Sequence, residues 1–231
     1  MVSTRPKSVT ASDLTAGDRI LALAPHPDDE TLGCGALLAA AFATTGAHVI
    51  CMTDGARSHP QSRDWPPARL ADLRAAEMRE AISHLGGTAE ALTMLGEPDG
   101  QLNMQYERYE EIAQRIVEIA RQKGIRRVFA SSASDAHHDH KATASIARIV
   151  VRQLSGTLFS YPVWSRWDEG SFDADYALNS SPYRAQKARA LFAHRSQLGK
   201  VVHDDPGGFV MPERFVEMFV NEDELYREVN P

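Results

Sequence analysis

Short apolar runs bounded by turn formers recur along the chain, separated by longer stretches with apolar residues at helical spacing. Residues 20–25 form the first such run and predict a buried strand, followed by an Ala- and Leu-rich helix over 31–44. Residues 48–54, HVICMTD, predict a second strand ending in an acid. Turn formers and mixed charges over 55–66 predict a loop, read as a mobile lid. A helix over 67–85 is stopped by Gly86-Gly87. Residues 91–95 give a weak third strand leading into a turn at Pro98-Asp99-Gly100. In 105–123, Tyr106, Tyr109, Ile112, Ile116 and Ile119 are spaced for one face of an amphipathic helix, which Lys123-Gly124 closes.

A strand over 127–131, a helix over 141–154 and a strand over 157–164 follow, with Pro162 marking an edge or a strand end. Residues 165–181 read as irregular and 182–198 as helical. The tail from 201 to 231 holds a loop at Asp205-Pro206-Gly207-Gly208, and residues 214–220, RFVEMFV, fit either strand or helix. Strand–helix alternation of this kind predicts an α/β fold: a single Rossmann-like domain with a mostly parallel sheet flanked by helices. Residues 1–18 are expected as a polar N-terminal extension and 19–231 as the domain; the chain shows no internal repeat or linker.

Composition narrows the function classes. With 231 residues, 43% of them hydrophobic and 24% charged, the chain is ordinary for a globular protein with one sizeable core. A net charge of −6 and a pI near 5.8 argue against nucleic acid as a partner. No run reaches the ~20 apolar residues of a membrane span, and no secretory leader is read in residues 1–18, so a cytoplasmic location is expected. Cys34 and Cys51, each in an apolar segment, read as buried free thiols.

The chemistry sits where two strands end. The first strand runs into His26-Pro27-Asp28-Asp29-Glu30, and the strand over 127–131 is followed by residues 134–144, SDAHHDHKATA. In open α/β sheets ligands bind at the carboxyl ends of strands. Titratable groups there need partners, because burying them unpaired costs several kcal/mol. A divalent metal supplies that reason: imidazole and carboxylate are common Zn²⁺ ligands, and a catalytic site uses three protein ligands. His26 and one of the two aspartates offer two, and the second cluster offers a third. The competing explanation for either cluster alone is a turn and helix cap.

These motifs resemble the PIG-L/LmbE family of zinc-dependent N-deacetylases, which act on N-acetylglucosamine-type substrates. The resemblance extends through Arg74-Ala75-Ala76-Glu77 with Ala81 and Leu85-Gly86, through Pro98-Asp99-Gly100-Gln101-Leu102, and through Lys187, Ala190 and His194-Arg195-Ser196-Gln197. It implies that His26, Asp29 and His140 bind the metal and that Asp28 is the general base. His137 is then a catalytic imidazolium that stabilises the oxyanion and is a candidate to protonate the leaving amine, and Asp139 orients a neighbouring histidine. Arg74 and Asp99 fall at sugar-contacting positions, and Arg57, just after the second strand, is a further substrate-contact candidate. Asp135 takes the place of a tyrosine found in some members and is expected either to orient a histidine or to cap the next helix. His138 is expected to face solvent, Glu30 to accept amides at the helix start, and His194 and Gln197 to buttress the site. Trp65, Trp164 and Trp167 are candidates for stacking on a sugar.

The expected activity is metal-assisted hydrolysis of an N-acetyl or other N-acyl group from a GlcNAc-type sugar or glycoconjugate. Zn²⁺ is the expected metal, though N/O ligands also accept Fe²⁺, Co²⁺ or Ni²⁺. An amidase or phosphoesterase acting on a different substrate stays open, as does a homo-oligomer. A receiver-like signalling domain would leave His26 and the second cluster without a task.

Overall fold

The computed structural model describes residues 5–167 and 172–230. Along the chain lie β1 (Lys7–Val9), α1 (Ala11–Thr15), β2 (Ile20–Ala24), α2 (Asp29–Phe42), β3 (Ala47–Thr53), α3 (Pro67–His84), β4 (Leu92–Glu97) and α4 (Tyr109–Gln122). Then come β5 (Arg127–Ser131), α5 (His138–Leu154), β6 (Thr157–Tyr161), α6 (Trp164–Trp167), β7 (Tyr176–Leu178), α7 (Arg184–Ala193), α8 (Glu213–Asn221) and β8 (Glu224–Val229). The strands form one sheet in the order β1-β7-β8-β6-β5-β2-β3-β4. Pairing is parallel except that β8 runs antiparallel to both β6 and β7. This is a single Rossmann-like domain, with a mostly parallel sheet flanked by helices.

The chain order explains where a site can form. From β2 the chain steps outward through β3 to β4, then returns to the other side of β2 with β5 and moves outward again through β6. The direction of winding therefore reverses between β2 and β5, and the crevice outside their carboxyl ends is where open α/β sheets bind ligands. Strand residues alternate between the two faces. Ile20, Ala22 and Ala24 join a core with α2, α3, α7 and α8, while Leu21 and Leu23 join one with α4 and α5.

Helix α2 is buried along almost its whole length, which accounts for its Ala- and Leu-rich sequence. It lies so close to the sheet that a Cβ on Gly33 would fall 2.0 Å from Tyr161 Cδ2, while the Tyr161 hydroxyl donates to the Leu23 carbonyl at 2.8 Å. On its other side, Lys187 Nζ donates to the Leu32 carbonyl at 2.8 Å and to Glu224 at 2.6 Å. Glu224 in turn accepts the Ala36 and Leu37 amides at 2.7 and 3.0 Å. This buried ion pair ties α7 and β8 to the helix whose first residue enters the site.

Several elements differ from expectation for local reasons. The first 18 residues contribute β1, which pairs with β7, and α1, whose Leu14 is buried. The second helix begins at Asp29 rather than 31, and the helix expected from 141 begins at His138. The helix expected over 105–123 starts only at Tyr109, after a 3₁₀ turn, and Tyr106 is exposed rather than on the buried face. The helix expected over 182–198 is broken at His194, whose φ/ψ of −77°/57° is not helical. Part of the stretch expected as irregular is ordered in α6 and β7; its residues 168–171 lie outside the described residues. The segment 214–220 resolves as helix. Pro162 follows the end of β6, an interior strand. The loop 55–66, read as a mobile lid, is pinned: Asp204 accepts from Ser62 Oγ and the Arg63 and Asp64 amides, and Asp205 from the Gln61 amide. Cys34 and Cys51 are buried free thiols, and no described helix is long and apolar enough to cross a membrane.

Two stability outcomes follow from this packing. Gly33→Ala should lower unfolding stability by about 1–3 kcal/mol through overpacking against Tyr161, read as a fall in Tm. His48 is buried, with Nε2 2.9 Å from Thr93 Oγ1; burial, then Lys123 and Arg19, push it down to about 4. It stays neutral in the fold but takes a proton in the unfolded chain at its ordinary 6.5, so its contribution is present above that pH and lost as the pH falls towards 4. His48→Asn should therefore lose less stability than wild type between pH 7 and 4.5, measured as urea midpoints.

Candidate active site

The two sequence clusters meet in the crevice between β2 and β5. His26 lies in the loop after β2, Asp29 opens α2, and His140 lies in the first turn of α5. The Oδ2 of Asp29 lies 3.1 Å from His26 Nδ1 and 3.2 Å from His140 Nε2, and also accepts the His26 amide at 2.9 Å. Each imidazole is held from behind by another carboxylate. Asp139 Oδ2 lies 3.2 Å from His26 Nε2, and Asp135 Oδ2 lies 2.7 Å from His140 Nδ1. One nitrogen of each ring is thus occupied, and the other is turned towards Asp29. Outer carboxylates commonly orient metal-binding histidines in this way.

The outer pair are themselves fixed. Asp139 accepts the Gly100 and Leu102 amides at 2.7 and 2.9 Å, which ties the Pro98-Asp99-Gly100 turn to His26. Asp135 accepts the Val163 and Ser165 amides, which ties the segment after β6 to His140. Of the two roles foreseen for Asp135, the structure shows the histidine contact. The cap of α5 is His137, whose Nδ1 accepts the Asp139 amide at 3.2 Å.

The donor set suits a cation. His140 Nε2 is buried and, among the described residues, has no hydrogen-bond partner despite the nearby Asp29 oxygen. The nitrogen and oxygen donors of His26, His137 and His140 lie within 4.8 Å of one another, as do those of His26, Asp99 and Asp139. Burial opposes charge on His140, but Asp29 and Asp135 outweigh it and raise the ring to about 9. Burial likewise opposes charge on His26, yet Asp139, Asp29 and Asp99 hold it well above its ordinary value. The pocket stabilises positive charge at the point where both rings face Asp29.

Asp28 stands beside this centre in an unusual backbone conformation, φ 138° and ψ −28°, a strained region for a non-glycine residue. Its amide donates to Glu30 Oε2 at 3.1 Å, and its carboxylate meets Arg74 Nη2 at 3.2 Å. Burial raises the Asp28 carboxyl and the Arg74 guanidinium lowers it, leaving it at about 7. For His137, burial followed by the positive charges of His26 and His140 brings the ring to about 4. That environment favours the neutral ring. Because Nδ1 accepts a hydrogen bond, the ring's proton sits on Nε2.

A cavity of about 560 Å³ opens over the centre. It is lined by His26, Asp28, Asp29, His137 and His140, and by Arg57, Arg74 and Asp99. Asp139 meets the site from behind, through His26. Arg74 has little left to offer a ligand: Nη1 donates to the Gly55 carbonyl and Nη2 to the Pro27 carbonyl, each at 2.8 Å. Asp99 Oδ2 accepts the Arg57 amide, while Oδ1 lies 3.2 Å from His26 Nε2. Gln197 reaches the cavity wall, and His194 Nε2 lies 3.5 Å from Glu30 behind it. His138 is exposed. Trp164 lines the cavity, whereas Trp65 packs under Arg69 and Trp167 against Phe215. Sequence reading missed Ser58, Val163 and the strap from Gly207 to Met211. Their only signal is the Gly207-Gly208 pair, which brings the strap against His59, where a Cβ on Gly208 would clash.

Residues 21–151 match the family model PIG-L: GlcNAc-PI de-N-acetylase. No curated protein sequence matches the chain. An N,N'-diacetylchitobiose deacetylase from Pyrococcus horikoshii, solved with an inhibitor, superposes with a TM-score of 0.68 at 19% identity, over 92% of this chain and 84% of that one. The conserved protein TT1542 from Thermus thermophilus gives 0.66 at 26% identity, over 92% and 94%. A 4-carboxy-2-hydroxymuconate hydratase from Pseudomonas putida gives 0.62 at 15% identity, over 93% and 97%. The fold thus carries more than one reaction, and the chemistry must be argued from the site.

If Asp135 orients His140 for a metal, Asp135→Asn should weaken Zn²⁺ binding about 10–100-fold in a chelator competition, with the fold retained.

Proposed function

The chain belongs to the PIG-L (GlcNAc-PI de-N-acetylase) family, and from that premise we propose that it is a metal-dependent hydrolase removing an N-acyl group from a GlcNAc-type sugar or glycoconjugate. The observation that carries this reading is the convergence of His26 Nδ1 and His140 Nε2 on the Asp29 carboxylate, with Asp28 alongside. His26, Asp29 and His140 would hold the ion: Zn²⁺ first, with Fe²⁺, Co²⁺ or Ni²⁺ suited to the same donors. When bound, it supplies a more acidic water and polarises the acyl oxygen.

The remaining work falls to side chains. Asp28 takes the proton from the attacking water and passes it to the leaving amine. A carboxyl balanced between burial and the Arg74 guanidinium can do both near neutral pH. Arg74 and Glu30 hold that carboxylate and its strained backbone in place. His137, neutral with its proton on Nε2, donates to the oxyanion as the acyl carbon becomes tetrahedral. Asp139 and Asp135 keep the two ligand rings from turning. Arg57, Arg74 and Asp99 are the proposed sugar contacts. Asp99 and the Arg57 side chain have the greater freedom to bond hydroxyls, since Arg74 is spent on backbone carbonyls and Asp28.

Acetate release from N-acetylglucosamine derivatives tests the reading. The Zn²⁺-loaded protein should release acetate, and removal of the ion by a chelator should abolish turnover. Asp28→Asn should still bind Zn²⁺ but lose about 10²–10⁴-fold in kcat. Metal binding without release from any N-acyl sugar would overturn the substrate assignment.

A further inference from the structure

The cavity over the site has two walls of opposite character, and the strand order separates them. Arg57 and Asp99 follow β3 and β4, on one side of His26, and Arg74 joins them through Gly55 and Pro27. On the other side, Val163 and Trp164 follow β6, beyond His140. There the lining is apolar: Leu32, Val163, Trp164, Phe209, Met211 and Phe215. The Trp164 ring centroid lies 5.6 Å from that of Phe209 and 5.7 Å from that of Phe215, so the wall is a packed aromatic surface. It is anchored to the metal-site residues: Leu32 is one turn beyond Asp29, and Asp135, which holds His140, also holds the amides flanking Trp164.

We propose that this wall is a binding site for the acyl chain, and that the enzyme's preferred substrate carries an N-acyl group longer than acetyl. The inference rests on the deacylase reading above. In an N-acyl amino sugar the scissile amide divides the molecule in two, with a hydroxyl-rich ring on one side and the acyl chain on the other. With the amide at the centre, the ring's hydroxyls find partners on the Arg57 and Asp99 side. The acyl chain is then directed along Leu32, Val163 and Trp164. An acetyl group would leave most of that surface unfilled, whereas each added methylene buries apolar area on both partners. The strap from Gly207 to Met211 contributes Phe209 and Met211 to the wall and is held in place, with the Phe209 amide donating to the Ser58 carbonyl and the Met211 amide to the Gln197 carbonyl, each at 2.7 Å.

The test is a chain-length series in two arms. In the first, the Zn²⁺-loaded full chain is assayed for amine release from N-acetyl-, N-propanoyl-, N-butanoyl- and N-hexanoylglucosamine, with octyl N-acetylglucosaminide as a control. We expect kcat/KM to rise by up to about fourfold per added methylene until the wall is filled. A tenfold fall from acetyl to propanoyl would overturn the proposal. So would a gain for the octyl glycoside with none for the hexanoyl amide, which would assign the wall to the aglycone. In the second arm, acetate, butanoate and hexanoate are titrated calorimetrically into the protein, with and without Zn²⁺, and affinity should increase along the series. Trp164→Gln should lower the hexanoyl-to-acetyl ratio of kcat/KM by about tenfold or more, and Met211→Gln should do so to a smaller extent. Acetyl turnover with a flat or inverted series in both arms would sink the acyl site while leaving the deacylase reading intact. Tightening carboxylates without turnover on any sugar amide would do the reverse.

Discussion

The site depends on one carboxylate, that of Asp29, lying between two imidazoles whose far nitrogens are already taken. If Asp139 and Asp135 did not hold His26 and His140, each ring could turn and satisfy both nitrogens elsewhere. Because they do hold them, the inner nitrogens and the Asp29 oxygen face one another in a buried cluster that favours positive charge. Burying so many ionisable groups is unfavourable unless each finds a partner. The network finds those partners by recruiting backbone amides from the loops after β4 and β6, while the loop after β5 supplies Asp135 itself. The His/Asp cluster and the shape of the cleft are therefore one hydrogen-bonded structure.

This has a consequence for specificity. The loop after β4, held by Asp139, carries Asp99, and its neighbour Arg57 is tied to it through an amide; the loop after β6, held by Asp135, carries Trp164. The carboxylates that orient the histidines also set the distance from the His/Asp cluster to the polar and apolar walls. A shift in either loop would be felt at a ligand ring, and the reverse also holds.

The support beneath the site is as tightly specified. Helix α2 delivers Asp29 and presses on the sheet at Gly33, where only a missing side chain leaves room for Tyr161. Its other side is clasped by Lys187 and Glu224, which bond to backbone groups within the helix. Replacing one partner of such a buried pair leaves the other uncompensated, at a cost of about 3–5 kcal/mol. The same helix start holds Asp28 in its strained conformation, with Glu30 accepting the Asp28 amide two residues back. The strain falls on the residue proposed to move protons.

The sequence by itself determined the alternation of strands and helices and the two polar clusters at strand ends. Those features are local: period, turn chemistry and residue type within a few positions. The His26–Glu30 run and the second His/Asp cluster stood out because titratable side chains at buried strand ends need partners, whereas the separate role of each residue, and the choice of Asp99, came from the family resemblance. The tertiary structure decided what depends on distant segments meeting. Asp135 is fixed against the His140 ring by the Val163 and Ser165 amides, which reach it because β6 sits beside β5. Arg74 was drawn inward by the Pro27 and Gly55 carbonyls. The wall of Val163, Trp164, Phe209, Met211 and Phe215 forms only when the end of β6 and the C-terminal segment reach the same cavity. An apolar residue in a loop carries no mark of what it will face, whereas a buried carboxylate must be paired, and so polar chemistry is legible in a sequence where shape is not.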